Sequence, residues 1–197
     1  MKHRNIVAAL VVIMTLVLVG CCVTIAVRAD DAPVRTAKQD ALHEAADILR
    51  AAGYSDDSDV IKALQDEWRQ EQTDLSIIAK TISREADPEW CEWEHSVAVG
   101  AVVLNRVASP WFPNSVYDVI VQPRQYSVSY ASGFDGIGRK SWEAAAAAMN
   151  GEHSVPADAY WQDTSPQGVC TWKIFTVDTG YYKSTTYICR GIPGVDA

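Results

Sequence analysis

From Thr36 onward, apolar residues recur at helical spacing. Ala41, Leu42, Ala45, Ile48 and Leu49 mark one face of a helix over Thr36–Ala52, which Gly53 can close in the left-handed conformation. Ser58 is an N-cap for a second helix, Val60–Gln70, with Ile61, Leu64 and Trp68 on one side. A third helix runs from Asp74 to Ala86. A fourth, His95–Val107, is apolar on nearly every side, which is the pattern of a buried helix. After the turn-rich "SPWFPNS", the segment "VYDVIVQPRQYSVSY" predicts a short helix or strand and then a β-hairpin. Ser141 caps a helix over "SWEAAAAAMNG" that Gly151 stops. The tail reads as strands, "DAYWQDTS" and "CTWKIFTVDTGYYKSTTYIC", with Asp178-Thr179-Gly180 as a turn. Helices first and small sheets later predict an α+β fold.

The N-terminus belongs to a different environment. Lys2 and Arg4 precede an uncharged apolar run from Ile6 to Val27, long enough to span a bilayer. The basic flank puts the start of the chain in the cytoplasm and the rest outside. The length of the run favours a retained signal anchor over a cleaved signal peptide. Cleavage after Val27-Arg28-Ala29 and lipidation of Cys21 in Leu18-Val19-Gly20-Cys21 are the alternatives, the second weakened because the run continues past Cys21. Each predicts an extracytoplasmic protein, membrane-anchored through residues 6–27 or secreted. The expected organisation is 1–29 as anchor or signal peptide, 30–72 as linker and helical hairpin, and 73–197 as the main domain.

Composition narrows the partners. Removing residues 1–29 takes away Lys2, Arg4 and Arg28 and no acid, leaving 14 basic against 25 acidic side chains, a net charge of −11. Such a domain has no means of holding nucleic acid through counterion release. Seven Trp and eight Tyr supply amphipathic rings that serve sugar clefts and cores alike. Outside the apolar run stand Cys91, Cys170 and Cys189. Cys170 and Cys189 flank the strand-rich tail and are expected to pair, leaving Cys91 as a lone thiol.

One carboxylate breaks the apolar pattern. Ile78, Ile82 and Glu85 stand at i, i+4 and i+7, so a glutamate follows two isoleucines on one helical face. A carboxyl held against them is desolvated, keeps its proton more readily, and suits the general acid that a glycosidic oxygen needs. The plainer alternative is a helix-end glutamate turned to solvent or paired with Lys80 or Arg84.

Four stretches, in order, favour the general acid over that alternative: "IIAKTISREA", "HSVAVGAVVLNRVASPWFPNSVYDVIVQPRQYS", "SWEAAAAAMNG" and "ADAYWQDTS". Together they resemble the cell wall hydrolase family of the SleB type, the spore-cortex-lytic enzymes. The most specific part is the block from the apolar helix through Asn105-Arg106-Val107 to Gln125-Tyr126-Ser127. The resemblance implies a lysozyme-like catalytic domain over 73–197 that cleaves peptidoglycan glycan strands between N-acetylmuramic acid and N-acetylglucosamine. It implies Glu85 as the single catalytic carboxyl, in a motif where Arg84 replaces the usual glycine and Asp87 the usual arginine. A lytic transglycosylase, in which one glutamate serves as acid and then as base, is preferred over a hydrolase. Gln125, Tyr126 and Ser127 fall at the family's Gln-Phe-Ser position and Tyr160 and Trp161 at its paired aromatics, so these five are the candidate substrate-binding residues. The alternative is a non-catalytic peptidoglycan-binding module of the same fold. A further one makes the 36–70 helices a docking element for another protein.

No cofactor and no metal are expected. His43-Glu44-Ala45-Ala46-Asp47 has half of a zinc-protease helix but lacks its second histidine. His3, His95 and His153 share no ligand spacing, and Phe134–Gly138 lacks a calcium-loop pattern. The protein is expected to act as a monomer on peptidoglycan.

Overall fold

The computed structural model describes residues 33–126 and 136–196. The apolar run at 6–27, Ser127 and the hairpin expected beyond Tyr126 lie outside the described residues. Among those described, no helix is long and apolar enough to cross a membrane. Contacts divide the chain into a unit that ends at Thr73 and a second from Asp74 to Ala197.

In the first unit, α1 (Ala37–Ala51) starts with a capping box. The Thr36 hydroxyl accepts the Gln39 N–H at 3.1 Å, and the Gln39 side chain accepts the Thr36 N–H at 3.0 Å. Gly53, at φ +89°, closes the helix as its sequence predicts, and the Tyr54 N–H donates to the Leu49 carbonyl. Leu42, Ala45, Ala46 and Leu64 form the unit's apolar core, with Leu49 and Trp68 packed on it.

The second helix, α2, is Asp59–Glu85, one continuous element where the sequence reading expects two. Between Gln70 and Asp74 stand only Glu71, Gln72 and Thr73, with no Gly or Pro to break the ladder. Thr73 donates its hydroxyl back to the Arg69 carbonyl at 2.9 Å and lets the helix pass.

In the second unit, the last turns of α2 bury Ile77, Ile78, Ile82 and Ala86. The buried helix α3 (Trp93–Ala108) packs against α4 (Val116–Ile120), α5 (Arg139–Met149) and β1 (Ala159–Asp163). Gly100 sets the closest approach. A Cβ built there would lie 2.9 Å from the Ala148 Cβ, 3.2 Å from Ile78 Cγ2 and 3.3 Å from Ile82 Cδ1. Gly100→Ala is therefore expected to destabilise the protein by about 1–2 kcal/mol, since overpacking outweighs the gain in helix propensity. The urea midpoint measures it, and a midpoint equal to or above that of the parent would contradict this packing.

β2 (Cys170–Asp178) and β3 (Lys183–Arg190) form a hairpin that β1 joins, giving an antiparallel sheet of order β1-β3-β2. Asp178 accepts the Gly180 N–H at 3.0 Å, an Asx-turn that bends the hairpin where the sequence predicts. Val155, Ala159, Phe175 and Ile188 meet Ala98, Ala101 and Val102 of α3 in one core. The fold is thus mixed, helices with one small sheet.

Two local expectations fail. Ser141 does not cap α5. That helix begins at Arg139 after Gly138, because Arg139 pairs with Glu143 at 2.8 Å and extends the first turn. Cys170 and Cys189 do not pair, and all three described cysteines are free. Cys170 lies opposite Arg190, the neighbour of Cys189, so the two thiols leave opposite faces of the sheet. Cys170 is accordingly exposed and Cys189 buried. The Cys189 neighbour across the sheet is the Thr171 hydroxyl, 3.6 Å from its sulfur.

Candidate active site

Glu85 is the last residue of α2 and is half-buried. The position is fixed on both sides in sequence, because Ile82 and Ala86 are almost fully buried. Ala86 continues the helical ladder, its N–H donating to the Ile82 carbonyl at 2.8 Å. Its own carbonyl accepts the Ser96 hydroxyl at 2.6 Å, which ties the end of α2 to the first turn of α3. With Ile78 and Ile82 packed on Gly100, α3 grips the glutamate's helix at two levels.

The acidic loop after Glu85 is stapled down. Glu89 pairs with Lys140 of α5 at 3.2 Å, and Glu94 pairs with Lys173 of β2. Two acidic side chains of this loop are thus engaged by lysines. Trp90 and Trp93 stand in the same loop with 70% and 48% of their surface exposed. Two tryptophans so soon after the glutamate are a signal for sugar stacking that the sequence carries.

Behind the loop, His95 is buried and stacks on Phe175 with ring centroids 4.7 Å apart. Neither of its ring nitrogens has a hydrogen-bond partner among the described residues. Burial in this apolar setting pushes its pKa down to about 4, so the ring is neutral at physiological pH. Among the described residues no cluster of three or more His, Cys, Asp or Glu side chains is arranged to hold a metal ion.

The other candidates gather at the far end of α3. Arg106 there is 2% exposed, and its Nε–H donates to the Tyr160 carbonyl at 2.6 Å. Its guanidinium lies over three rings, 5.2 Å from the centroid of Phe112 and 5.5 Å from those of Tyr126 and Trp161. Phe112 also meets Tyr160 at 5.5 Å and Trp161 at 6.0 Å. Asn105, its neighbour, holds the approach to β1 by donating to the Pro156 and Ala159 carbonyls at 2.8 and 3.1 Å.

The turn that delivers Tyr126 is strained. Arg124 has φ +67° beside Pro123, and the Gln125 N–H donates to the Gln122 carbonyl at 3.2 Å. A type II turn normally reserves that position for glycine. Gln125 is left exposed beside it.

The structure therefore brings Tyr126, Tyr160 and Trp161 together, around the unforeseen Arg106 and Phe112. It does so away from the start of α3. Ser96, which binds Ala86, precedes Arg106 by ten residues of helix, or about 15 Å at the α-helical rise. A buried arginine in a run as apolar as "VAVGAVVLNRV" was the available signal, since burial of such a charge demands an organised partner set.

Comparison with known proteins finds relatives for part of this chain. Residues 92–183 match the family described as Cell Wall Hydrolase. Residues 92–183 thus resemble a cell wall hydrolase domain. The family match opens at Glu92, so Glu85 precedes it while α3, the Arg106 cluster, β1 and β2 fall inside it. The spore cortex-lytic enzyme of Bacillus subtilis (strain 168) is 43% identical over 54 residues, 27% of this chain and 17% of that protein. The spore cortex-lytic enzyme of Oceanobacillus iheyensis is 41% identical over 56 residues, 28% of this chain and 20% of that protein. The chain thus spans about a fifth of the length of the curated relatives it matches. Among solved structures, the catalytic domain of the germination-specific lytic transglycosylase SleB from Bacillus anthracis is 23% identical with a TM-score of 0.44. That comparison covers 60% of this chain and 95% of the other. The catalytic domain of the Bacillus cereus SleB protein is 24% identical with a TM-score of 0.44, over 60% of this chain and 91% of the other.

Proposed function

We propose that the cell wall hydrolase domain cleaves peptidoglycan glycan strands between N-acetylmuramic acid and N-acetylglucosamine, as a lytic transglycosylase with Glu85 as its acid and base. The observation that carries this reading is the grip of α3, inside the matched family segment, on the helix end that bears Glu85. The glutamate is proposed to work on a lysozyme-like arrangement outside the cytoplasm, with residues 6–27 as the membrane segment and residues 73–197 acting as a monomer.

The step balances on one carboxyl. The Glu85 carboxyl gives its proton to the bridging oxygen, the C1–O bond breaks, and the departing sugar leaves as an alcohol. The resulting carboxylate then takes the proton of the muramic acid C6 hydroxyl while O6 bonds to C1. This leaves a 1,6-anhydro end and returns the carboxyl to its starting state. No water enters, so no second carboxylate is needed, which suits a site whose Glu89 and Glu94 are held by lysines. In two-carboxylate hydrolysis, by contrast, a second acid must be free to activate water or bond to C1.

Mass spectrometry of muropeptides released from purified sacculi tests the reading. Anhydro-muramic ends, one water lighter than hydrolysed ends, are expected. Reducing ends in their place would convert the proposal to simple hydrolysis, and no release at all would remove the activity. A second reading, a wall-binding module of the same fold, draws on Arg84 and Asp87 standing where the family pattern has glycine and arginine.

A further inference from the structure

We propose that the cavity between α1 and the first half of α2 binds an amphiphilic anion, a molecule that joins an apolar body to one carboxylate, sulfonate or phosphate group. The site lies wholly within the first unit and is independent of the proposed reaction.

The cavity has a volume of about 490 Å³, within the range of about 300–1,000 Å³ in which small-molecule sites fall. Leu42 and Ala46 of α1 and Leu64 of α2 form its floor, and the half-buried Trp68 stands beside them. The rim is cationic. Residues 33–73 carry nine carboxylates against three arginines and two lysines, a net charge of −4. All three arginines, Arg35, Arg50 and Arg69, line the cavity, and among the described residues none of the nine carboxylates does. A chance mix of lining side chains in so acidic a unit would contain carboxylates. Their segregation gives the cavity a local field opposite in sign to the charge of the unit around it.

The aspartates hold these arginines from outside the cavity. Arg50 donates its Nε–H to Asp56 at 2.8 Å and an Nη1–H to Asp47 at 2.7 Å. Arg69 pairs with Asp66, and Arg35 stands 3.9 Å from Asp40. A guanidinium carries five N–H donors in a fixed fork, so Arg50 is oriented by two of them and keeps others for an incoming oxyanion. Three like charges around one cavity repel one another, and an anion placed between them makes each of those interactions favourable. The floor dictates the other end of the ligand, because covering it removes apolar surface from water. An inorganic ion would leave the floor wet, and a neutral apolar molecule would leave the arginines unanswered. Two sources share the required chemistry, a soluble organic acid and an anionic phospholipid.

The probe is 2-naphthoate, a flat apolar body with one carboxylate. Calorimetric titration of the full chain, held in phosphatidylcholine nanodiscs, is expected to show one site per chain once the heat of empty discs is subtracted. Arg50→Gln and Gln65→Glu are each expected to weaken that binding about tenfold. The first removes a charge-assisted contact, and the second places a carboxylate on the lining. Gln65→Glu keeps the shape of the side chain and leaves every arginine in place, so it decides alone if Arg50→Gln does not fold. Discs that contain phosphatidylglycerol separate the two sources. Competition there identifies the phospholipid as the occupant, and undiminished binding identifies a soluble acid. Failure of 2-naphthoate to bind, equal binding of the neutral 2-naphthalenemethanol, or binding at the parent level in both variants would overturn the proposal.

Discussion

Glu85→Gln is expected to leave the protein folded and to cut muropeptide release from purified sacculi by about a hundredfold to ten-thousandfold, the range for loss of a general acid. The amide keeps the size and most of the shape of the carboxyl but has no proton to give to the bridging oxygen and cannot later accept one from the C6 hydroxyl. Both halves of the proposed cycle fail together. Because Glu85 is only half-buried and its neighbours Ile82 and Ala86 carry the packing, stability should move by less than about 1 kcal/mol. Binding to sacculi should persist, since the amide keeps the size and shape of the carboxyl. Release at the parent rate would take Glu85 out of the mechanism and favour the wall-binding alternative.

The second large effect is a loss of stability in acid that originates at His95. In the folded protein burial holds its pKa near 4, against an ordinary value of 6.5, so the native state binds fewer protons than the unfolded one. The sign follows: this group's contribution to stability is complete above about pH 6.5, falls as the pH drops, and levels off below about pH 4. Across that window it removes about 3 kcal/mol, and about 2 kcal/mol is already gone near pH 5. The charged groups nearby do little to rescue the protonated ring. Lys173 sits over the Phe175 ring, 5.0 Å from its centroid, and its ammonium already holds Glu94. His95→Phe keeps an aromatic on Phe175 and removes two buried nitrogens that have no partner, so it should fold and lose this acid slope. Urea unfolding of both proteins at pH 8 and pH 5 gives the test. Equal slopes in the two would show that His95 reaches solvent or a counter-charge.

Periodicity revealed most of the helices because each buries one face. The capping box at Thr36, the glycine stop at Gly53 and the all-apolar stripe of α3 are local signals, and local signals survive in a sequence. What was hidden depended on pairing between distant segments. The fusion of two expected helices into α2 turned on whether Thr73 would bond back to Arg69 or end the ladder, a choice of one hydrogen bond. Of the Arg106 cluster only the arginine in its apolar run is a local signal, because the rings come from residues 112, 126 and 161, and contacts over a ring face leave no period. The cysteine pairing failed on strand parity. Flanking positions say nothing of which face a side chain leaves, and an irregularity between Thr171 and Lys173 shifts the register in this very region. The residues proposed for the reaction rest on the resemblance, to which the fold adds that Tyr126, Tyr160 and Trp161 share one cluster.

The parity of that hairpin has a consequence for how the sheet responds to reductant. With one sulfur facing solvent and the other sealed in the core, no covalent staple holds the sheet, and its stability rests on packing around Phe175 and Ile188. Reductant should leave its unfolding midpoint where it was.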